Sequence, residues 1–382
     1  MLRPVWQSAL PDLPANQGVG IGTLGDLDGD GFDELVATDC SSMQRRAALI
    51  RGRDGHSTPE GLNVTLRPHH RVDAELSLEI AHGFVNVGDT DGDGRPEIAM
   101  IECGFQPYAR FPPSGVWLLA MDPWRIVRVW RRDVDSFGAF VLPIGDFDGD
   151  GRTDLLTVND YYPAALEVLS VDREESVWRL ELPWDGAHIS GVIAMGDIDG
   201  GGCTEVMLTL SLRGVPYWMQ CLLRGEDGTI LWTRSAASPQ EVPGPLSLSV
   251  AGDVDGDSVV DLWVIGKTDV EWHDLIAIQS GRDGRFLRSC ESACTYLYES
   301  ATCVDLDGDG VRELVLLWSV VPKQHQNLVE IISSRTMAPL FQHSCEEFDS
   351  LAVLGTPDGV RLVLGDESRL QAFDLVRVEA GR

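Results

Sequence analysis

The sequence predicts an all-β fold, a seven-bladed β-propeller of four-stranded antiparallel blades with its ring closed by the N-terminal strand. Three observations predict it. An acidic segment recurs six times at intervals of 51 to 63 residues, and short apolar runs follow each copy in a similar order. A last, shortened copy lacks one strand, which the N-terminus supplies. Repeats of about this period indicate propellers or solenoids.

The copies read GDLDGDGFDEL from Gly25, GDTDGDGRPEI from Gly88 and GDFDGDGRTDL from Gly145. They continue as GDIDGGGCTEV from Gly196, GDVDGDSVVDL from Gly252 and VDLDGDGVREL from Val304. Calcium accounts for this spacing, because it takes about six to eight oxygens at ~2.3–2.6 Å. Carboxylates at loop positions 1, 3 and 5 converge when the chain wraps round an ion. Glycine at position 6 allows the sharp turn, position 7 offers its carbonyl, and position 9 returns a carboxylate.

In the loop near 26–34 these positions are Asp26, Asp28, Asp30, Phe32 and Glu34. The loops near 89–97 and 146–154 offer Asp89, Asp91, Asp93, Arg95 and Glu97, then Asp146, Asp148, Asp150, Arg152 and Asp154. The loop near 197–205 has Asp197, Asp199, Cys203 and Glu205, with Gly201 in place of the third aspartate, and is expected to bind most weakly. The loop near 253–261 offers Asp253, Asp255, Asp257, Val259 and Asp261, with Ser258 where the turn glycine is usual. The last, near 305–313, offers Asp305, Asp307, Asp309, Val311 and Glu313. The residues at position 7 (Phe32, Arg95, Arg152, Cys203, Val259, Val311) would act through their carbonyls. About six calcium ions are the cofactor implied.

An EF-hand shares the first three ligands but requires glutamate at position 12 and flanking helices. Position 12 is Ala37, Met100, Thr157, Leu208, Val264 and Leu316 in turn, and the flanks are strand-like runs such as DLLTV and ELVLLW. The EF-hand is excluded at all six copies.

Four strand runs belong to each repeat. The second has GFVNVG, EIAMIE, GVWLLAMD and RIVRVWRR; the fourth has GVIAMG, EVMLTL, WMQCLLRG and TILWTRS; the fifth has LSLSVAG, DLWVIG, LIAIQSG and RFLRSC. Polar turns such as GEDG and GRDG join the last two runs. Four strands per repeat make a propeller blade. A degenerate seventh blade spans about 350–382, where TPDG has lost the aspartate series and only three strand runs remain. VWQSAL, residues 5–10, resembles VWRRDV, VWRLEL and LWTRSA at the ends of other blades, so it is expected to complete the seventh and leave no long exposed edge. Trp6, Trp130, Trp178 and Trp232 fall at matching outer-strand positions, where packing explains them best. A single domain over 1–382 is expected.

Among 382 residues, 60 are acidic and 30 basic, a formal charge of −30. A nucleic-acid binder needs a basic surface to displace counterions, so that class is disfavoured. Six divalent ions would bring the formal charge up by twelve, to −18. No uninterrupted apolar run reaches the ~18 residues of a membrane span, and no signal-peptide pattern opens the chain. Eight cysteines, at 40, 103, 203, 221, 290, 294, 303 and 345, show no zinc spacing; they read as buried or unpaired thiols, or as one or two disulfides.

The loops resemble the FG-GAP repeats of integrin α-subunit propellers and their bacterial relatives, closest to the bacterial GDxDGDGxxD variety. The resemblance covers essentially the whole chain. It implies calcium in the hairpin between a blade's first and second strands, on one face, and partner binding on the opposite face. The connections between second and third strands would lie there, and they hold Tyr108, Phe111, Tyr161, Tyr162, Tyr217, Trp218, Trp272 and His273 as candidate ligand-binding residues. Aromatic side chains offer contact area at low entropic cost. Histidines 69, 70, 188, 273 and 325 also fall in expected loops, without metal-site spacing.

No catalytic set is recognisable. The expected function is a calcium-stabilised recognition or adhesion module for a protein or glycan, with a polysaccharide lyase-like enzyme or a lectin on the same scaffold as the alternative. Several calcium sites suit millimolar extracellular calcium, which points to an exported or cell-surface protein.

Overall fold

In the computed structural model the described residues are 2–9, 19–39, 47–57, 84–102, 114–121, 124–132, 137–159, 164–184, 186–212, 218–235, 244–267, 274–292, 296–319, 327–345, 348–366 and 369–375. Among them the chain forms seven antiparallel sheets and no helix, the architecture of a seven-bladed β-propeller. Two compact units group these sheets: Thr65–Gly244, and Met1–Val64 with Pro245–Arg382.

The unit Thr65–Gly244 holds blades 2, 3 and 4. Blade 2 is Phe84–Gly88, Glu97–Glu102, Ser114–Met121 and Trp124–Arg132, paired in that order. Blade 3 is Phe137–Pro143, Leu155–Asn159, Ala165–Leu169 and Trp178–Glu181. Blade 4 is Ala187–Ala194, Val206–Leu212, Trp218–Leu223 and Ile230–Ser235. The middle strands are mostly apolar, LLTVN and ALEVL in blade 3, and every residue in both is buried, Thr157, Asn159 and Glu167 included. Such runs suit strands covered on both faces. Leu166, Val168 and Leu156 of blade 3 share one core with Leu208, Leu210 and Cys221 of blade 4. The fourth strand of blade 3, WRLE, alternates half-buried and exposed, as a strand with one wet face does.

The other unit holds blades 1, 5, 6 and 7. Blade 1 is Val19–Gly25, Glu34–Asp39 and Ala47–Ile50; the residues that would carry its fourth strand, 58–83, lie outside the described residues. Blade 5 is Gly244–Gly252, Asp261–Lys267, Asp274–Gln279 and Phe286–Glu291. Blade 6 is Tyr296–Thr302, Leu314–Ser319, Asn327–Ile332 and Pro339–Cys345.

Blade 7 is Ser350–Thr356, Gly359–Gly365 and Arg369–Leu375, with Leu2–Ala9 paired antiparallel to the last of these. The N-terminal strand therefore completes the last blade. It begins at Leu2 rather than Val5, and its register shifts between Pro4 and Trp6. An outer strand tolerates a proline, whose missing N–H costs no ladder bond there. TPDG is a tight hairpin with Thr356 opposite Gly359.

Outer-strand tryptophans dock on the third-to-fourth-strand hairpin of the next blade. Trp130 of blade 2 is buried and donates to the Arg173 carbonyl of blade 3 at 3.0 Å. A β-carbon on Gly228 of blade 4 would lie 2.9 Å from the Trp178 ring of blade 3. Trp6 of blade 7 donates to the Gly52 carbonyl of blade 1 at 2.9 Å, and a β-carbon on Gly55 would meet its ring at 2.4 Å. Packing is thus the role of these three rings. Histidine 188 corrects an expectation: it lies in the strand Ala187–Ala194, opposite Ser211, not in a loop. The turn signal of Asp185 and Gly186 just before it masked the short alternation AHIS that makes it a strand residue.

Candidate metal centres

All six acidic segments join the first and second strands of their blades, and each turns the same way for a local reason. Glycine at position 6 adopts φ of +86° to +90° in five loops (Gly31, Gly94, Gly151, Gly202, Gly310), where a β-carbon would strain the backbone. Ser258 sits at φ +67° in the fifth, one of two non-glycine residues with positive φ among the described residues. The first aspartate organises the loop from within. Asp89 Oδ1 accepts from the N–H of Gly92 at 2.7 Å and of Asp93 at 3.1 Å, and Oδ2 accepts from Gly94 at 2.9 Å. Asp26, Asp146 and Asp305 make the same three bonds.

Position 9 opens the second strand or immediately precedes it, and is buried in every loop: Glu34, Glu97, Asp154, Glu205, Asp261 and Glu313. One oxygen of each accepts a backbone N–H from position 2, as Glu97 does from Thr90 at 2.7 Å and Asp154 from Phe147 at 2.8 Å. The other oxygen differs between loops. Glu34 Oε1, Glu97 Oε1, Asp154 Oδ1 and Glu313 Oε1 are buried without a hydrogen-bond partner among the described residues. A buried carboxylate oxygen left unpaired is costly.

Carboxylate oxygens converge to within 4.8 Å of one another in the sets Asp26, Asp28, Glu34; Asp89, Asp91, Glu97; Asp146, Asp148, Asp154; Asp197, Asp199, Glu205; and Asp305, Asp307, Asp309, Glu313. Converging carboxylates of this kind are hard oxygen donors suited to a divalent cation. Burial pushes Glu34 and Glu313 up to about 7 and Asp154 to about 6, with neighbouring aspartates adding to the effect. Glu97 and Asp261 are raised for the same first reason.

One set of residues at these loops was not singled out from sequence. The third-to-fourth-strand hairpin of the same blade brings an arginine to each loop. Arg125 Nη2 reaches Asp91 Oδ2 at 2.5 Å, Arg173 is 3.2 Å from Asp148, and Arg53 is 3.8 Å from Asp30. Arg224 pairs with Asp199 at 2.7 Å, and that pairing holds the Asp199 carboxyl below its usual range. Arg282 pairs with Asp257 at 2.5 Å, Arg285 with Asp255 at 3.2 Å, and Arg335 lies 3.5 Å from Asp309. Ser333 and Ser334 donate hydroxyls to Asp307 at 2.8 Å and Asp309 at 3.0 Å. The signal was present in RGRDG, RGEDG and GRDG, which read only as polar turns.

Of the candidate ligand-binding residues, Tyr108, Phe111, Tyr161, Tyr162, Tyr217, Trp272 and His273 lie outside the described residues. Trp218 opens the third strand of blade 4, half-buried and paired with Ser211. Cys203, Cys221, Cys290, Cys303 and Cys345 are free thiols. Burial pushes Cys221 and Cys303 up to about 12 and Cys290 and Cys345 to about 11, far from thiolate nucleophiles. No helix among the described residues is long and apolar enough to cross a membrane.

No protein-family model matches the chain, and no curated protein matches it. Solved structures do. The chain is similar to BBS1N in complex with ARL6DN, in crystals soaked with lead (TM-score 0.61, 12% identity, 99% of this chain and 98% of that one) and with mercury (TM-score 0.61, 11% identity, the same coverage). The Dos1 propeller aligns with TM-score 0.43 at 10% identity, over 70% of this chain and 64% of that one. The BBS1N likeness, at this identity, is one of fold.

Proposed function

We propose that this protein is a calcium-stabilised interaction platform, a member of the FG-GAP-like propellers with the GDxDGDGxxD loop. The observation that carries the reading is the buried ninth-position carboxylate in four loops, with an oxygen that no group among the described residues satisfies, beside aspartates arranged within 4.8 Å. A divalent cation supplies that partner and offsets the loop's charge; the first, third, fifth and ninth side chains and the seventh carbonyl would hold it. Because the ligands converge only in the folded chain, binding favours the native state.

The metal supports the scaffold, and recognition belongs to the scaffold's surface. A protein partner is favoured by the likeness to BBS1N, a propeller solved in complex with ARL6DN. Several loops of this kind suit millimolar calcium, so a cell-surface or exported setting fits the reading.

The test is thermal unfolding of chelator-stripped protein, then with calcium or magnesium added back. Calcium should raise the melting temperature by many degrees, and magnesium much less, because it demands a tighter octahedral shell. Binding of proteins and of arrayed glycans, measured with and without calcium, should be lost with the fold. Identical melting curves in calcium and chelator would refute the reading.

A further inference from the structure

We infer that the six loops fall into two classes: the first, second, third and sixth are open to a cation, whereas the fourth and fifth are closed by the protein's own donors. This rests on the calcium reading and ranks its sites. From sequence the fifth loop belongs with the strong ones, since it has aspartate at positions 1, 3, 5 and 9. Its surroundings place it elsewhere.

The difference lies in the ninth side chain. In the open class its second oxygen has no partner among the described residues. In the fifth loop Asp261 Oδ2 accepts from Val254 N–H at 2.7 Å, and Oδ1 accepts from Gly281 N–H at 3.1 Å. In the fourth loop Glu205 Oε2 accepts from Ile198 N–H at 2.5 Å, and Oε1 accepts from Gly225 N–H at 3.4 Å. Gly225 and Gly281 hold matching places in the hairpins RGEDG and SGRDG. A backbone donor in a hairpin cannot swing aside as a side chain does, so a metal at these loops shares that oxygen with a fixed N–H instead of finding it unpaired.

Arginine adds to this in the fifth loop. An arginine approaches every loop and so does not by itself divide them. The fifth, however, receives two: Arg282 Nε on Asp257 Oδ2 at 2.5 Å with its Nη2 on the Asp257 carbonyl at 2.8 Å, and Arg285 on Asp255 at 3.2 Å. Two guanidinium charges already occupy the third and fifth ligands. At the sixth loop neutral hydroxyls of Ser333 and Ser334 take the corresponding oxygens, and Arg335 comes no closer than 3.5 Å to Asp309. Arg282 and Arg285 are built-in competitors, which makes them the residues that set the fifth loop's preference for its own cations over calcium. The fourth loop reaches the same end through the Gly225 N–H on Glu205 and the lack of a carboxylate at position 5.

The test is amide hydrogen exchange across a calcium titration of the chelator-stripped full chain, read at position 6 of each loop. Gly31, Gly94, Gly151 and Gly310 should gain protection at calcium concentrations at least tenfold lower than Gly202 and Ser258. In the double variant Arg282→Gln, Arg285→Gln the fifth loop alone should shift to lower calcium, by threefold or more. Both arginines are exposed, so the fold should survive. Protection of all six loops together, or of the fifth together with the first, second, third and sixth, overturns the two classes while leaving the calcium reading intact. An unmoved fifth loop in the double variant overturns the part assigned to the arginines. Protection nowhere overturns the calcium reading and this ranking with it.

Discussion

Trp6 and Arg361 donate to the same acceptor, the carbonyl of Gly52: Trp6 through its indole N–H at 2.9 Å and Arg361 through Nη1 at 2.5 Å. Arg361 also reaches the Arg53 carbonyl at 3.1 Å and Asp374 at 2.9 Å, and Asp374 in turn pairs with Arg3 at 2.7 Å. The N-terminal strand, the last strand of blade 7 and the outer hairpin of blade 1 are thereby one network. Asp33 extends it, donating its N–H to the Gly355 carbonyl at 3.1 Å and accepting from Gly355 N–H at 2.5 Å.

Trp6→Ala should therefore cost about 2–3 kcal/mol, toward the lower end for a large aromatic because the ring is half-buried. Trp6→Phe, which keeps a ring but loses the indole donor, should cost about 1 kcal/mol. Chemical denaturation measures both. Deleting residues 1–10 should go further, lowering the melting temperature or causing aggregation through an unpaired edge. A truncated chain that melts like the full one would mean that the N-terminal strand adds nothing to blade 7.

Ser258→Gly should stabilise the protein by about 0.5–1 kcal/mol. The serine holds φ +67°, a region that costs an L-residue roughly 1–2 kcal/mol, and glycine's larger unfolded-state entropy returns part of that. Gly94→Ala, at φ +86° in the matching position of blade 2, should destabilise by a similar amount. Denaturant midpoints with unchanged m-values would report these directly.

Much of this was legible in the sequence because the repeat is regular. Six copies in register located the hairpins, the ninth-position carboxylates, and the seventh blade's dependence on VWQSAL. The strand start at Leu2 was less legible, since Pro4 resembles a break until an outer position excuses it. The arginines were legible only as members of polar turns, not as partners of the loops. They lie 23 to 34 residues from the aspartates they face (Arg53 from Asp30, Arg125 from Asp91), and only the hairpin of the same blade carries them there. For the same reason the fifth loop reads as strong in sequence and closed in structure.

Without metal, the pH dependence should have an unusual sign. Glu34, Glu313 and Glu299 titrate at about 7 in the fold and Asp154 at about 6, all raised first by burial. A carboxyl raised in the folded state binds its proton more tightly there than in the unfolded chain. Its contribution is fully present below the ordinary value of about 4.5 and is lost as pH rises through about 7. In chelator, stability should therefore increase as pH falls from about 7.5 to 5. Below about 4 the lowered carboxyls Asp199, Asp257 and Asp374 reverse the trend. In calcium the upper limb should invert, because protons then compete with bound metal. The same slope in both media would contradict this.

Glu167 offers a test away from the loops. It is buried on the third strand of blade 3 and bonded by Arg132 at 3.3 Å, by Ser176 at 2.5 Å and by Arg179. Arg132 belongs to blade 2, so the group ties two blades. Glu167→Ala should cost about 2–3 kcal/mol, less than a fully buried pair because both arginines reach solvent. A cost under about 0.5 kcal/mol would show that water replaces the carboxylate without penalty.

Direct binding tests the central claim. Native mass spectrometry of chelator-stripped protein with added calcium should show at least four ions taken up at low calcium and up to six at high. Glu97→Gln, which neutralises the buried carboxylate of the second loop, should remove one of the first four and leave the others. Uptake of one ion or none, or full uptake by the variant, would contradict the assignment of these loops as calcium sites.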